Sequence, residues 1–173
     1  HIEDGRQFLA GTAERYDLIT GEPPPPVLAG VANLYTEEYF KLIHARLADG
    51  GFVTYWLPMM NLAAHSAKGI IRAFCNALPN CTLWHGEGRN FMLMGSRGTP
   101  ERAVSAEHVS APFAREALSS ELEAIGIEQP GMLGSLFIGG PDYLEQLTHD
   151  TLPVTDDWPR RLHQPDADDE RDA

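Results

Sequence analysis

Four consecutive prolines, Pro23–Pro26, follow directly on a short apolar run and decide much of what this chain can become. Proline has no N–H to donate to a sheet ladder and cannot enter a helix interior. The run Arg15-Tyr16-Asp17-Leu18-Ile19-Thr20 therefore reads as a short buried strand. It stops at Gly21-Glu22, and the prolines force a stiff, extended loop behind it. Whatever follows must start a new element. Thr36 is a candidate N-cap, with Glu37 and Glu38 suited to the positive end of a helix dipole. Phe40, Ile43, His44 and Leu47 then fall at i, i+3, i+4, i+7, one face of a helix. Asp49-Gly50-Gly51 supplies the stop, and Phe52–Leu57 is a strand of β-formers. A second helix is expected from about Ser66 to Leu78, closed by Pro79-Asn80. Cys81–Trp84 and Asn90–Gly95 read as two strands joined by the turn His85-Gly86-Glu87-Gly88.

The first hundred residues thus run strand, helix, strand, helix, hairpin. That order predicts an α/β fold, a parallel sheet with right-handed crossovers and an antiparallel edge hairpin. Ahead of it, His1–Arg6 reads as a strand end entering a turn, with a short helix over Gln7–Thr12. After residue 98 the pattern becomes helical. Thr99-Pro100-Glu101 is a helix start, and further helices are expected at Pro112–Ile125, Met132–Phe137 and Pro141–Thr148. Leu152–Pro159 is turn-rich and extended. Residues 163–173 carry five acids against one arginine and read as a disordered, solvated tail. The expected division is 1–98, a helical extension over 99–162, and the tail.

The formal net charge of −12 repels phosphate backbones, which argues against nucleic acid as a partner. No apolar run approaches the roughly 18 residues that span a bilayer, and no secretory signal is visible. The chain opens on His1 in place of Met, which predicts a piece of a longer protein. Its two cysteines, Cys75 and Cys81, form no CxxC pair; they read as buried thiols in a reducing cytosol, hence a cytoplasmic protein. The seven histidines are scattered singly and suggest no metal site.

Several stretches together resemble the spermidine synthase family of polyamine aminopropyltransferases. They are Tyr16-Asp17-Leu18-Ile19 with its following acidic loop, Leu34-Tyr35-Thr36-Glu37-Glu38-Tyr39-Phe40, and Leu47-Ala48-Asp49-Gly50-Gly51. The closer likeness is to a bacterial branch often fused to a transporter-like membrane region. Glu22-Pro23-Pro24-Pro25-Pro26, Ala29–Tyr35, Trp56-Leu57-Pro58 and Thr155-Asp156-Asp157 with Pro159 carry it. The resemblance spans residues 1–98 and the late motif. It implies the carboxyl-terminal half of a class I methyltransferase-like, Rossmann-like fold, in a parent that is cytoplasmic or membrane-attached.

The resemblance also implies a chemistry. Members move an aminopropyl group from decarboxylated S-adenosylmethionine to an amine such as putrescine, leaving 5′-methylthioadenosine. The amine is protonated at neutral pH, so a carboxylate must hold it and take a proton. Glu22 falls where the family carries its catalytic Asp; Pro25 falls where a second Asp follows, so the pair is broken. The bland reading of Glu22 is an exposed loop carboxylate. Asp4 and Gly5 match the family's adenine-contacting acid and the small residue after it; alternatively they form a simple turn. Tyr55 stands where members often carry Gln, as a substrate contact. Trp56 is core, pocket wall or ligand contact, and Asp156 with Asp157 lines an amine site or caps a turn.

The family's glycine-rich loop and ribose-holding acid lie upstream of this stretch, and Gly139-Gly140 does not replace them. No tightly bound cofactor is therefore expected here. Without the upstream strands, Tyr16–Thr20 has an open edge and an open apolar face. The chain should pair with another copy or with the missing amino-terminal half. Two other readings stand beside an aminopropyltransferase: a degenerate module binding a polyamine or a partner, and an S-adenosylmethionine-dependent small-molecule methyltransferase. The fold alone does not separate them.

Overall fold

Two parallel strands set the direction of the sheet in the computed structural model, which describes residues 4–28, 30–59, 62–86, 88–98 and 106–157. Strand β1 (Tyr16–Gly21) pairs in parallel with β2 (Leu47–Pro58) through Leu18↔Phe52, Thr20↔Thr54 and Gly21↔Tyr55. The crossover between them holds a 3-10 turn at Ala32–Leu34 and helix α2 (Glu37–Arg46). Helix α3 (Ala64–Ala77) then leads to the hairpin β3 (Thr82–His85) and β4 (Asn90–Ser96). β4 lies antiparallel between β2 and β3, and the sheet order is β1-β2-β4-β3-β5. This is the expected α/β architecture, a Rossmann-like half sheet with an antiparallel edge.

Alternation along the strands separates two faces. Val53, Tyr55 and Leu57 of β2, with Leu83 and Leu93 of the hairpin, point into the core against Phe40 and Ile43 of α2 and Ile70, Ile71 and Phe74 of α3. Thr36 caps α2 as its sequence suggests: its hydroxyl accepts from the Tyr39 N–H at 3.3 Å. Helix α1 (Gly5–Gly11) is capped by Asp4, whose Oδ1 accepts from the Gln7 N–H at 2.9 Å.

Several expectations need correction. Helix α2 ends at Arg46, and Leu47 already belongs to β2. The Asp49-Gly50-Gly51 segment is an irregularity inside that strand instead of a helix stop. Gly50 has φ +78°, and a Cβ on Gly51 would sit 2.8 Å from the Tyr16 carbonyl oxygen. The pairing accordingly jumps from Tyr16↔Leu47 to Leu18↔Phe52. The helix expected over 112–125 is broken by the extended Arg115 into a 3-10 turn (Ala111–Ala114) and α5 (Glu116–Ala124), with α4 (Ala106–Ser110) before them. Helix α6 (Pro130–Ser135) ends early, because Phe137–Gly139 forms a fifth strand, β5, antiparallel to β3. Helix α7 (Pro141–Thr148) packs on α3. The helix start at Thr99-Pro100-Glu101, the first three residues and the tail 163–173 lie outside the described residues.

The cysteines are not two free thiols. Cys75 and Cys81 are joined, S–S 2.03 Å, with Cα atoms 5.3 Å apart. The turn after α3, in which the Cys81 N–H bonds the Leu78 carbonyl at 3.0 Å, brings the start of β3 back against the last helical turn. Disulfides persist in oxidising surroundings, so the cysteines no longer support a reducing cytosol. No helix among the described residues is long and apolar enough to cross a membrane.

Candidate functional site

The parallel strands β1 and β2 both run towards the carboxyl end of β1, and α/β sheets place ligands at the carboxyl ends of their parallel strands. Glu22 follows the last residue of β1 and is exposed. The proline loop behind it is held down by Tyr35, whose hydroxyl lies 3.2 Å from both the Pro23 and the Pro24 carbonyl oxygens. Beneath it the Tyr35 ring meets Tyr55 edge to face at 5.6 Å, and Tyr55 meets Phe40 likewise at 5.1 Å. This aromatic floor is buried, and burial raises the Tyr35, Tyr39 and Tyr55 hydroxyl pKa values above the ordinary tyrosine range.

Tyr55, for which the resemblance implied a substrate contact, lies in this floor. It is 1% exposed, and its hydroxyl donates to the Leu34 carbonyl at 2.5 Å. Gly21 abuts it so closely that a Cβ there would lie 2.5 Å from the ring. Trp56, one residue on, points to the opposite side of the sheet. It is half-buried, and its indole N–H donates to Asn90 Oδ1 at 3.1 Å. Because Gly21 pairs with Tyr55, Glu22 follows the end of β1 beside the last residues of β2, where Trp56 is still paired within the strand.

Asp156 reaches the amino end of α1 from the far part of the chain, where Arg6 holds it, and Asp4 caps that same helix. Arg6 Nη1 donates to Asp156 Oδ1 at 2.9 Å and to the Asn33 carbonyl at 2.6 Å, while Nη2 pairs with Asp156 Oδ2. The same guanidinium stands 5.7 Å from the centre of the Tyr39 ring, at cation–π distance. The Asp156 N–H donates to Glu38 Oε2 at 3.0 Å, and the Glu37 N–H to the Val154 carbonyl at 2.9 Å. So the amino ends of α1 and α2 and the strap 151–157 are tied at one place. The hydrogen bond from Arg6 holds the Asp156 carboxyl below its usual range, with desolvation opposing; that bond likewise raises Arg6.

Asp156 therefore faces an internal cation. Asp157 is exposed beside it. The Asp4 carboxylate serves as helix cap through one oxygen, which leaves the second oxygen's acceptor capacity to be used elsewhere; Gly5 opens the helix. Sequence alone assigns no site role to Arg6, Glu38 or Tyr39, since nothing local marks Asp156 as a partner so far along the chain. A groove lined by Ala64, His65, Lys68, Asp150, Thr151 and Leu152 includes none of the candidate site residues.

No family model matches the chain. Among solved structures, it is similar to a probable spermidine synthase from Corynebacterium glutamicum, with TM-score 0.58 and 19% identity over 90% of this chain and 53% of that one. It is also similar to human methyltransferase-like protein 13, in a complex with SAH, with TM-score 0.52 and 17% identity over 72% of this chain and 57% of that one. The chain thus spans about half the length of these neighbours. At such identity the likeness is one of fold: the described residues build a five-stranded α/β sheet of the Rossmann-like, methyltransferase type.

Proposed function

We propose that this chain is the carboxyl-terminal half of a spermidine-synthase-like transferase, active in an intact parent and inactive by itself. The observation that carries the reading is the position of Glu22. It is an exposed carboxylate at the carboxyl end of β1, beside the end of β2 and above the aromatic floor. In the proposed reaction Glu22 accepts a proton from a polyamine ammonium such as that of putrescine. The freed nitrogen lone pair attacks the aminopropyl carbon bound to the sulfonium of decarboxylated S-adenosylmethionine. The C–S bond breaks, its electrons return to sulfur, and neutral 5′-methylthioadenosine leaves. The sulfonium is already a good leaving group, so positioning and proton removal supply most of what the protein must add. Asp4, with Gly5 giving close approach, accepts from the adenine amino group. Trp56 walls the site. The probable spermidine synthase among the structural neighbours supports this assignment.

A second reading is favoured by three observations: Pro25 replaces one expected carboxylate, Asp156 is paired with Arg6, and Tyr55 is closed off by Leu34. On that reading the chain is a degenerate module that binds a polyamine or a partner without turnover. The methyltransferase neighbour keeps a third in play, methyl transfer from S-adenosylmethionine to a small acceptor. Titration calorimetry on the longest natural polypeptide containing this sequence separates them. Binding of both 5′-methylthioadenosine and putrescine supports aminopropyl transfer. Putrescine alone supports the binding module, and the nucleoside alone supports the methyltransferase.

A further inference from the structure

Residues 106–136 are mostly helical, yet the 3-10 turn, α5 and α6 within them contain no buried residue. This lobe meets the sheet chiefly where α6 touches β5. Helix α5 has nine residues. So short a helix is marginal alone in water, and ordering it costs entropy that burial normally offsets. Its end is nevertheless fully formed. Gly126 takes φ +81°, its N–H returns to the Glu123 carbonyl at 2.9 Å, and the Ile127 N–H returns to the Leu122 carbonyl at 2.9 Å. That double closure is a glycine helix stop.

Leu118, Leu122 and Ile125 fall at i, i+4, i+7, a single stripe along α5. Leu118 is 38% and Ile125 71% exposed, and Leu122 is half-buried. Around the stripe the charge has one sign. Residues 116–128 hold Glu116, Glu121, Glu123 and Glu128, all exposed, and no lysine, arginine or histidine. We propose that α5 is a docking helix for another protein, and that its occupant is a basic amphipathic helix. The occupant's apolar side chains would cover Leu118, Leu122 and Ile125, and its lysines or arginines would face the carboxylates. A second copy of α5 would bring carboxylates against carboxylates, and an anionic membrane would be repelled in the same way. The transferase reading uses no residue of this lobe, so the proposal stands or falls separately.

The test titrates a fluorescent peptide of about 18 leucines and lysines at helical spacing, long enough to form a helix, into the longest natural polypeptide that contains this sequence. The peptide should bind, and α5 amides should then exchange about tenfold or more slowly, with α3 amides unchanged. Binding should weaken about tenfold or more in the double variant Leu118→Gln, Ile125→Gln, which keeps every charge, and in Glu121→Lys, Glu123→Lys. A leucine–glutamate peptide of the same spacing should bind at least about tenfold more weakly, as should a leucine–lysine peptide with the spacing scrambled. Equal binding by the scrambled peptide, or by Leu118→Gln, Ile125→Gln, would overturn the proposal, as would protection that spares α5. Slow exchange of α5 before any peptide is added would also overturn it. A dimer seen by sedimentation would then make a second copy the occupant, and a monomer would make it the polypeptide's own chain.

Discussion

Arg6 and Asp156 stand 150 positions apart and meet as a two-point ion pair, Nη1 to Oδ1 at 2.9 Å and Nη2 to Oδ2, at the amino end of α1. The pair is the knot that ties the 151–157 strap to both helix starts. Both side chains are partly exposed, so its worth is limited by screening. Asp156→Asn should cost about 1 kcal/mol or less and should speed amide exchange at Asp156 and Glu37. Arg6→Lys should do much the same, because a lysine cannot make both contacts.

The pair also predicts a pH dependence. Arg6 depresses the folded-state Asp156 pKa. A depressed carboxyl adds stability that is fully present above the unfolded value, about 4, and is lost as pH falls through the folded one. Urea midpoints for the unaltered protein and Asp156→Asn should therefore differ at pH 7 and converge in acid. A gap that widened on acidification would contradict the assignment.

The floor under Glu22 predicts a packing effect. Gly21→Ala would place a methyl 2.5 Å from a Tyr55 ring already hemmed by Tyr35 and Phe40. A loss of about 1–3 kcal/mol is expected, read as a lower thermal midpoint. Tyr55→Phe should cost about 1 kcal/mol by stranding the Leu34 carbonyl. An unchanged midpoint with weaker substrate binding would return Tyr55 to the substrate surface.

Cys75 and Cys81 should resist alkylation until reduced, and mass spectrometry without reductant should show the bonded pair. Closing so short a loop restrains the unfolded chain modestly, so reduction should cost about 2 kcal/mol. Two freely alkylated thiols in the native protein would remove the bridge.

What the sequence showed and what it hid divide by range. Thr36 and the acids after it announced α2, and Pro141–Thr148 announced α7 to the residue. These signals are local. Phe137–Gly139 gave no strand signal, because three residues become β5 only by lying against β3, where Phe137 packs on Trp84 at 5.1 Å. Asp49-Gly50-Gly51 looks like a helix stop by composition; only the neighbouring Tyr16 and Arg97 backbones make it part of β2. The six-residue spacing of the cysteines says nothing of a turn that folds back on its helix. The place of Glu22 just past the end of β1 was legible from the strand before it and the prolines after it. Arg6 was not, since its partner Asp156 belongs to the other end of the chain.

Steady-state turnover of decarboxylated S-adenosylmethionine with putrescine tests most directly whether Glu22 takes the proton in an amine transfer. In the intact natural polypeptide, Glu22→Gln should lower kcat about a hundredfold or more and leave the thermal midpoint unchanged, since Glu22 is exposed. Equal turnover by the variant, or none by the unaltered protein, would contradict it.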